Sequence, residues 1–351
     1  MAKIPVGVLG ATGMVGQRFL SLLQDHPYFD VQLLAASDRS AGKTLAEAGR
    51  WLIGGAMPEQ FARMTVQPLD RVGGVPLVFS ALPTEAAMEA EKAWAQAGSL
   101  VFSNAGAYRT DSLVPLLVPE VNPDHVHLLE LQRQRYGWSG GILTNPNCTT
   151  THAVLPMRAL HDAFGLRKVL LVSMQAVSGA GYPGVASLDI IDNVVPLIKG
   201  EEEKVEWEPR KLLGILGNDG IQEANITVSA HCNRVAVIDG HTECLSIEFE
   251  RKPSSVDDII SVLRGFRAEP QELNLPSAPQ HPILVTDAPD GPQPRRDRDA
   301  ERGMATTVGR IRPCSIFDYK LVLLGHNTIR GAAGGSLLNA ELMVAKGMIK
   351  K

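Results

Sequence analysis

The chain has 351 residues, enough for two domains at roughly 100–200 residues each, and it carries 34 Lys and Arg against 38 Asp and Glu for a net charge of −4. That balance and a pI near 6.2 exclude nucleic acid as the expected main partner, and no apolar run approaches the ~20 residues that span a bilayer, so no membrane partner is expected. The four cysteines, Cys148, Cys232, Cys244 and Cys314, are scattered without a C-x-x-C pair, which argues against a disulfide framework and against a metal site.

The N-terminus enters an apolar strand, Ile4 to Leu9, without the long apolar stretch of a secretory signal, so a cytoplasmic location is expected. Gly10-Ala11-Thr12-Gly13-Met14-Val15-Gly16 follows, and then a helical pattern carried by Phe19, Leu20, Leu22 and Leu23. Strand, tight glycine turn and helix form the context that dinucleotide binding requires. Glycine lets the backbone approach a pyrophosphate, and the free N–H groups of the helix start attract its charge. A plain turn of an α/β domain is the alternative.

A second strand, Val31 to Ala36, runs into Ser37-Asp38-Arg39-Ser40. An acidic residue here grips a ribose 2′-hydroxyl, whereas Arg39 between Ser37 and Ser40 suits a 2′-phosphate. The pattern favours NADP, and Asp38 leaves dual use open. Leu77 to Ala81 and Leu100 to Asn104 read as further strands with a helix over Glu85 to Ala97 between them. Such alternation predicts a doubly wound parallel sheet, with Ser80, Ser103 and Asn104 at its ligand-binding ends.

Ile142-Leu143-Thr144 leads through Asn145-Pro146-Asn147 to Cys148, and a helix is predicted from Thr149. A cysteine at a helix N-terminus gains from the macrodipole, which lowers its pKa, and the same amides can hold an oxyanion. Taken alone, Cys148 reads equally well as a buried inert thiol. The segment Asn225 to Val237 reads as a strand carrying Arg234, and His241 follows a glycine turn, where it is expected to protrude. A cysteine and a histidine distant in sequence are the layout of nucleophilic catalysis, with the histidine relaying the proton. Arg234 suits bidentate capture of a carboxylate. Gly200-Glu201-Glu202-Glu203-Lys204 reads by itself only as a solvated helix start.

Together these strings resemble aspartate-semialdehyde dehydrogenase of the branch shared by archaea and fungi. They include Ser103-Asn104-Ala105 with Tyr108-Arg109, Pro146-Asn147-Cys148-Thr149, the run from Gln175 to Gly181 and Asp189 to Asn193. The Glu201–Lys204 run, Cys232-Asn233-Arg234-Val235 with Gly240-His241, and His326 to Gly331 complete the set in family order.

The resemblance implies a Cys148 thiolate that attacks aspartyl phosphate, releases phosphate and passes a thioester to NADPH for reduction to aspartate semialdehyde. It implies His241 as acid/base and Gln175 as the residue that orients the substrate. Arg234 and Glu201 would hold the α-carboxylate and α-ammonium, and Arg109, Lys204 and Asn147 the phosphate. Gly10, Thr12, Gly13, Met14, Val15, Ser37, Arg39, Ser40, Ser178, Gly179 and Asn327 are the implied cofactor contacts. The implied fold class is α/β: a Rossmann-type dinucleotide-binding domain over residues 1–149 and 331–351, and an α+β catalytic and dimerisation domain with a mixed sheet over 150–330. A homodimer or homotetramer is implied.

Gly106-Ala107 departs from the bulkier residues typical of fungal relatives, and the Pro- and Arg-rich stretch from Thr286 to Gly303 reads as a polar surface loop without chemistry. The competing reading of the same fold is a malonyl-CoA reductase, against which Tyr108-Arg109 and the Glu201–Lys204 run speak. N-acetylglutamyl-phosphate reductase shares the cysteine–histidine logic but not these strings. A silent nucleotide-binding paralogue would have lost Cys148, His241 or Arg234, and all three are present.

Overall fold

Short apolar runs, buried at nearly every position, form the first sheet, as expected of parallel strands covered on both faces. In the computed structural model, which describes residues 2–349, these strands are β1 (Ile4–Leu9), β2 (Phe29–Ala36), β3 (Val66–Pro68), β4 (Leu77–Ser80), β5 (Leu100–Ser103) and β6 (Gly141–Thr144). They pair in the order β3-β2-β1-β4-β5-β6, every pair parallel. Strand order reverses between β1 and β4, the switch point beyond whose carboxyl ends ligands bind.

The helices of nine or more residues are α1 (Met14–Leu23), α2 (Thr84–Gln96), α3 (Leu128–Tyr136), α4 (Cys148–Phe164), α5 (Glu201–Leu212), α6 (Val256–Gly265) and α7 (Gly334–Ala345). On one face of the first sheet Phe19, Phe79, Leu337 and Met343 join α1 and α7 to the strands. On the other, Trp94 of α2 packs with Val78, Val101 and Ile142. Each such fully buried Leu or Phe contributes about 2 kcal/mol of transfer free energy.

The second half contains β7 (Leu166–Gln175), a small hairpin of β8 (Ile215–Gly217) and β9 (Gly220–Gln222), then β10 (Thr227–Arg234), β11 (His241–Phe249), β12 (Ile283–Val285), β13 (Thr306–Pro313) and β14 (Tyr319–Gly325). The sheet order is β10-β7-β11-β14-β13-β12. Its outermost pairs are parallel and its inner pairs antiparallel, so the sheet is mixed. In β11 burial alternates residue by residue, which puts Leu245, Ile247 and Phe249 with Val154 and Leu155 of α4 and Leu263 of α6. Leu170, Val172, Met174 and Cys244 on the other face stay half-buried. The fold is thus α/β, a Rossmann-type parallel sheet beside an α+β unit with a mixed sheet. No helix among the described residues is long and apolar enough to cross a membrane.

Three expectations shift. The strand expected over Asn225 to Val237 is only Thr227–Arg234, because beyond Arg234 the chain leaves the ladder and Val237 and Ile238 accept from Val177 and Ser178 instead. Helix α4 starts at Cys148 itself, one residue earlier than expected. The stretch from Thr286 to Gly303 lies mostly at the surface, as expected, but it is not without regular structure. It contains short helical turns at Pro294–Asp297 and Ala300–Gly303, and Arg298 Nη1 donates to the Asp239 carbonyl at 3.1 Å, bracing the turn that precedes His241.

Candidate active site

Gly10 turns the chain out of β1 with φ +78°, and a Cβ on Gly16 would lie 2.1 Å from the Gly10 carbonyl oxygen. Only glycine permits that approach of helix to strand. No side chain caps α1 and no acidic residue lies in its first turn, so its leading N–H groups remain open to an anion. Thr12 and Met14 are half-buried and Gly13 is exposed. Ser37 and Arg39 stand exposed just beyond the end of β2, while Ser40 is buried in the turn.

Asn147 caps α4, its Oδ1 accepting from Thr149 N–H at 2.8 Å, and this presents Cys148 in the first turn. Cys148 Sγ lies 3.2 Å from His241 Nε2. The Ala176 N–H donates to His241 Nδ1 at 3.1 Å. A backbone N–H can only donate, so Nδ1 is the acceptor and the proton of the neutral ring sits on Nε2, facing the sulfur.

Two expectations are corrected here. His241 does not protrude but is fully buried, since it heads a strand whose inward face packs under α4. Burial, then His152, Arg234 and His326, hold its pKa well below the ordinary value, so the ring is neutral at pH 7. The Cys148 thiol is not lowered but pushed up to about 12, by burial first and Glu201 second, against the pull of Arg109 and Arg234. Part of Cys148 remains open to the adjoining cavity.

Arg234 is buried at the end of β10, opposite Gln175 in the β10–β7 register, and its Nη1 donates to the Ala176 carbonyl at 2.9 Å. Gln175 is buried and donates to Ser173 Oγ at 3.2 Å. A Cβ on Gly179 would come 2.7 Å from Nη1 of Arg234 and 3.2 Å from Cε1 of His241, so the 177–180 turn lies directly over both. Asn327 ties that turn down, donating to Ser178 Oγ at 2.8 Å and accepting from Gly240 N–H at 2.9 Å. Glu201 accepts from Asn147 Nδ2 at 2.6 Å and lies 3.8 Å from Lys204 Nζ.

Arg109, one of the residues expected at the phosphate, is buried and paired. Its Nη1 donates to Glu208 Oε1 at 2.9 Å and its Nη2 to the Asn104 carbonyl at 2.9 Å. Ser80 and Ser103 turn inward, Ser103 donating to the buried Glu91 at 2.6 Å, so of that expected group only Asn104 reaches the cavity. Glu208 escaped the sequence reading. Its only local signal is spacing: seven residues after Glu201, it falls on the same face of α5.

Glu243 was missed as well. It is fully buried two residues beyond His241, and neither carboxyl oxygen has a hydrogen-bond partner among the described residues. Burial, then Glu201, push its pKa well above the ordinary carboxylate value. The folded state therefore keeps a proton that the unfolded chain gives up, and stability falls as pH rises above the ordinary value toward the folded one, by at most about 1.4 kcal/mol per pH unit. Glu243→Gln is expected to remove that contribution. Its thermal midpoint should gain on the wild type as pH rises from 5 to 8, and a constant difference across that range would contradict a protonated Glu243.

A cavity of about 390 Å³ is lined by Val15, Asn104, Arg109, Asn147, Cys148, Ser178, Gly179, Lys204 and Asn327, among others. Of the run from Gly10 to Gly16 only Val15 lines it; Gly10, Thr12, Gly13 and Met14 do not, and Cys148 opens onto it from the start of α4. Arg234 and His241 lie beneath Gly179 of its wall and Glu201 bonds to Asn147 of its wall, Gln175 does not line it, and Ser37 and Arg39 lie outside it just past the end of β2. A larger cavity, about 720 Å³ around Arg267 and Arg302, is lined by none of these groups.

Comparison with known proteins places the whole chain in one family. Residues 5–129 match the family described as semialdehyde dehydrogenase, NAD binding domain, and residues 157–330 match semialdehyde dehydrogenase, dimerisation domain. Aspartate-semialdehyde dehydrogenase of Archaeoglobus fulgidus is 51% identical over 348 residues, covering 99% of this chain and 100% of its own. The Schizosaccharomyces pombe enzyme of the same name is 50% identical over 357 residues, with the same coverage. The crystal structure of aspartate-semialdehyde dehydrogenase with NADP from Candida albicans superposes with a TM-score of 0.91 at 42% identity, covering 99% of this chain and all of that one. With curated relatives at half identity over nearly every residue and a cysteine and histidine in contact at the helix start, this chain belongs to the aspartate-semialdehyde dehydrogenase family.

Proposed function

We propose that the protein catalyses NADPH-dependent reductive dephosphorylation of L-aspartyl 4-phosphate to L-aspartate 4-semialdehyde, and the reverse phosphorylating oxidation, through a thioester on Cys148. The observation that carries this reading is the Cys148–His241 contact of 3.2 Å beside a cavity onto which Arg109 and Lys204 open. The setting is the cytoplasmic synthesis of lysine, threonine and methionine.

In the reductive direction Sγ attacks the acyl carbon: a C–S bond forms as the S–H bond breaks, the C–O bond to phosphate breaks, and the departing phosphate carries off the thiol's proton. Arg234 and Glu201 hold the substrate's carboxylate and ammonium, and Gln175 orients it. Arg109, Lys204 and Asn147 face the departing phosphate. The His241 Nε2–H stabilises negative charge on the carbonyl oxygen, since Asn147 Oδ1 already takes the Thr149 and Thr150 amides of the α4 start. NADPH, when bound, supplies the hydride that reduces the thioester carbonyl. As the hemithioacetal collapses, its C–S bond breaks, the aldehyde departs and the sulfur leaves as a thiolate that regains its proton from water.

The residues fit that cofactor. Gly16 lets α1 pack directly on the end of β1, where a Cβ would meet the Gly10 carbonyl oxygen at 2.1 Å, and α1 is uncapped, so its N-terminus can face a pyrophosphate. Gly10, Thr12, Gly13, Met14 and Val15 would line the phosphates, Ser178, Gly179 and Asn327 the nicotinamide side. Arg39, Ser37 and Ser40 would meet the 2′-phosphate. Arg39→Ala is expected to raise the KM for NADP about 10- to 100-fold, as loss of a charged hydrogen bond of roughly 1.5–3 kcal/mol dictates. The KM for NAD should barely move, and an equal rise for both cofactors would sink the assignment.

We assign residues 1–149 and 331–351 to the cofactor domain and 150–330 to the catalytic and dimerisation domain, with a homo-oligomer as the working form. Supporting this, the outer face of the second sheet keeps Leu170, Val172 and Met174 half-buried, and Leu188 is 89% exposed nearby in sequence. The test of function is one assay with aspartate semialdehyde, NADP and phosphate, beside a second with malonyl-CoA and NADPH. Turnover is expected only in the first. Turnover only in the second would replace the substrate assignment.

A further inference from the structure

Glu208 has no role in the reaction described above, yet its carboxyl group is the most tightly engaged in the site. It is fully buried, with Oε1 accepting from Arg109 Nη1 at 2.9 Å and Oε2 accepting from Asn147 N–H at 2.6 Å. Asn147 is both the cap of α4 and the neighbour of Cys148, while Arg109 follows the last-but-one strand of the first sheet. One carboxylate therefore joins the guanidinium assigned to phosphate with the backbone that sets the position of the nucleophile. Burial raises the pKa of this carboxyl, and Arg109 and the Asn147 N–H oppose the rise.

We propose that Glu208 is a positioning residue that couples phosphate engagement at Arg109 to the placement of Cys148. The argument rests on the reading of Arg109 as a phosphate group. The two oxygens of one rigid carboxylate cannot shift independently. A movement of the guanidinium toward a phosphate is passed to the Asn147 amide and so to the first turn of α4. The arrangement also limits the charge that Arg109 offers, since half of its partner shell is already anionic. A phosphate held by Arg109 thus meets a sulfur set at one distance, and displacements of about 1 Å at such a centre can cost ~100-fold in rate.

The test is a double-mutant cycle in the full-length enzyme, read as kcat and as KM for phosphate in the phosphorolytic direction. Glu208→Gln keeps the shape but cannot accept with both atoms, and Arg109→Lys keeps the charge but loses the fork. Each single change is expected to lower kcat/KM for phosphate about 30-fold, most of it in kcat for Glu208→Gln, with the KM for the aldehyde within about 3-fold. The double variant should be no worse than about 3-fold below the weaker single, because both act on one linkage. Glu208→Asp, which retains the charge, should recover part of the kcat loss and serves for the same cycle if the Gln variant does not fold. Losses that multiply in the double variant would overturn the coupling. If Arg109→Lys leaves the phosphate KM untouched, the assignment of Arg109 itself is wrong, which is a separate result.

Discussion

Cys148→Ser is expected to reduce turnover in both directions by roughly four orders of magnitude or more, the scale seen when a covalent nucleophile is removed. A serine hydroxyl at this site would be harder still to ionise than the thiol, which burial and Glu201 already push up to about 12. The oxoester it would form is also a poorer hydride acceptor than a thioester. The raised thiol has a second consequence. In the free enzyme, alkylation of Cys148 by iodoacetamide should accelerate through pH 9 without a plateau, in contrast to a cysteine held as a thiolate–imidazolium pair. Substrate should relieve part of this penalty, because its ammonium would pair with Glu201 and remove the second cause of the shift. Wild-type-like rates in the serine variant would end the thioester reading. A plateau in alkylation near neutrality would show that the helix start outweighs burial.

That last comparison marks where sequence reasoning reached its limit. The glycine turn was legible because strand, turn and helix are contiguous between Ile4 and Leu23, and local rules govern such a stretch. Cys148 was legible as a helix start for the same reason, since Asn147 supplies the cap from the adjacent position. The direction of its pKa was not, because a helix dipole is worth at most about 2 kcal/mol, whereas burial of an ionised group costs several kcal/mol and depends on everything packed over the site. His241 was found by its distance from Cys148, but its burial follows from α4 above the sheet and from the 294–303 turns beside it. Glu208 sits in a run of acids that reads as solvated until α5 is seen packed on α4. Glu243 occupies the inward face of β11, and one residue of register slip would turn it to the outer face. What escaped was set by contacts between segments far apart in the chain.

The tautomer of His241 gives a test of what that ring does. With Nδ1 occupied by the Ala176 N–H and Nε2–H directed at the sulfur, the neutral ring is a donor toward the reacting centre. It is not placed to take the thiol's proton, and protonation at Nδ1 would set N–H against N–H. Asparagine at 241 keeps an acceptor near the Ala176 amide but has no donor at the sulfur. Glutamine offers an N–H near the Nε2 position. Both changes are expected to cost about 100- to 10,000-fold in kcat, with His241→Gln retaining about 10-fold more activity than His241→Asn. The pH profile follows from the same chemistry. Since the folded pKa lies well below the ordinary histidine value, the wild-type rate should hold as pH falls through 6.5 and drop only at a lower pH, where the ring gains its second proton. His241→Gln should lack that acid limb. Equal residual rates in the two variants, or a wild-type limb centred near 6.5, would instead assign His241 as the base that deprotonates Cys148.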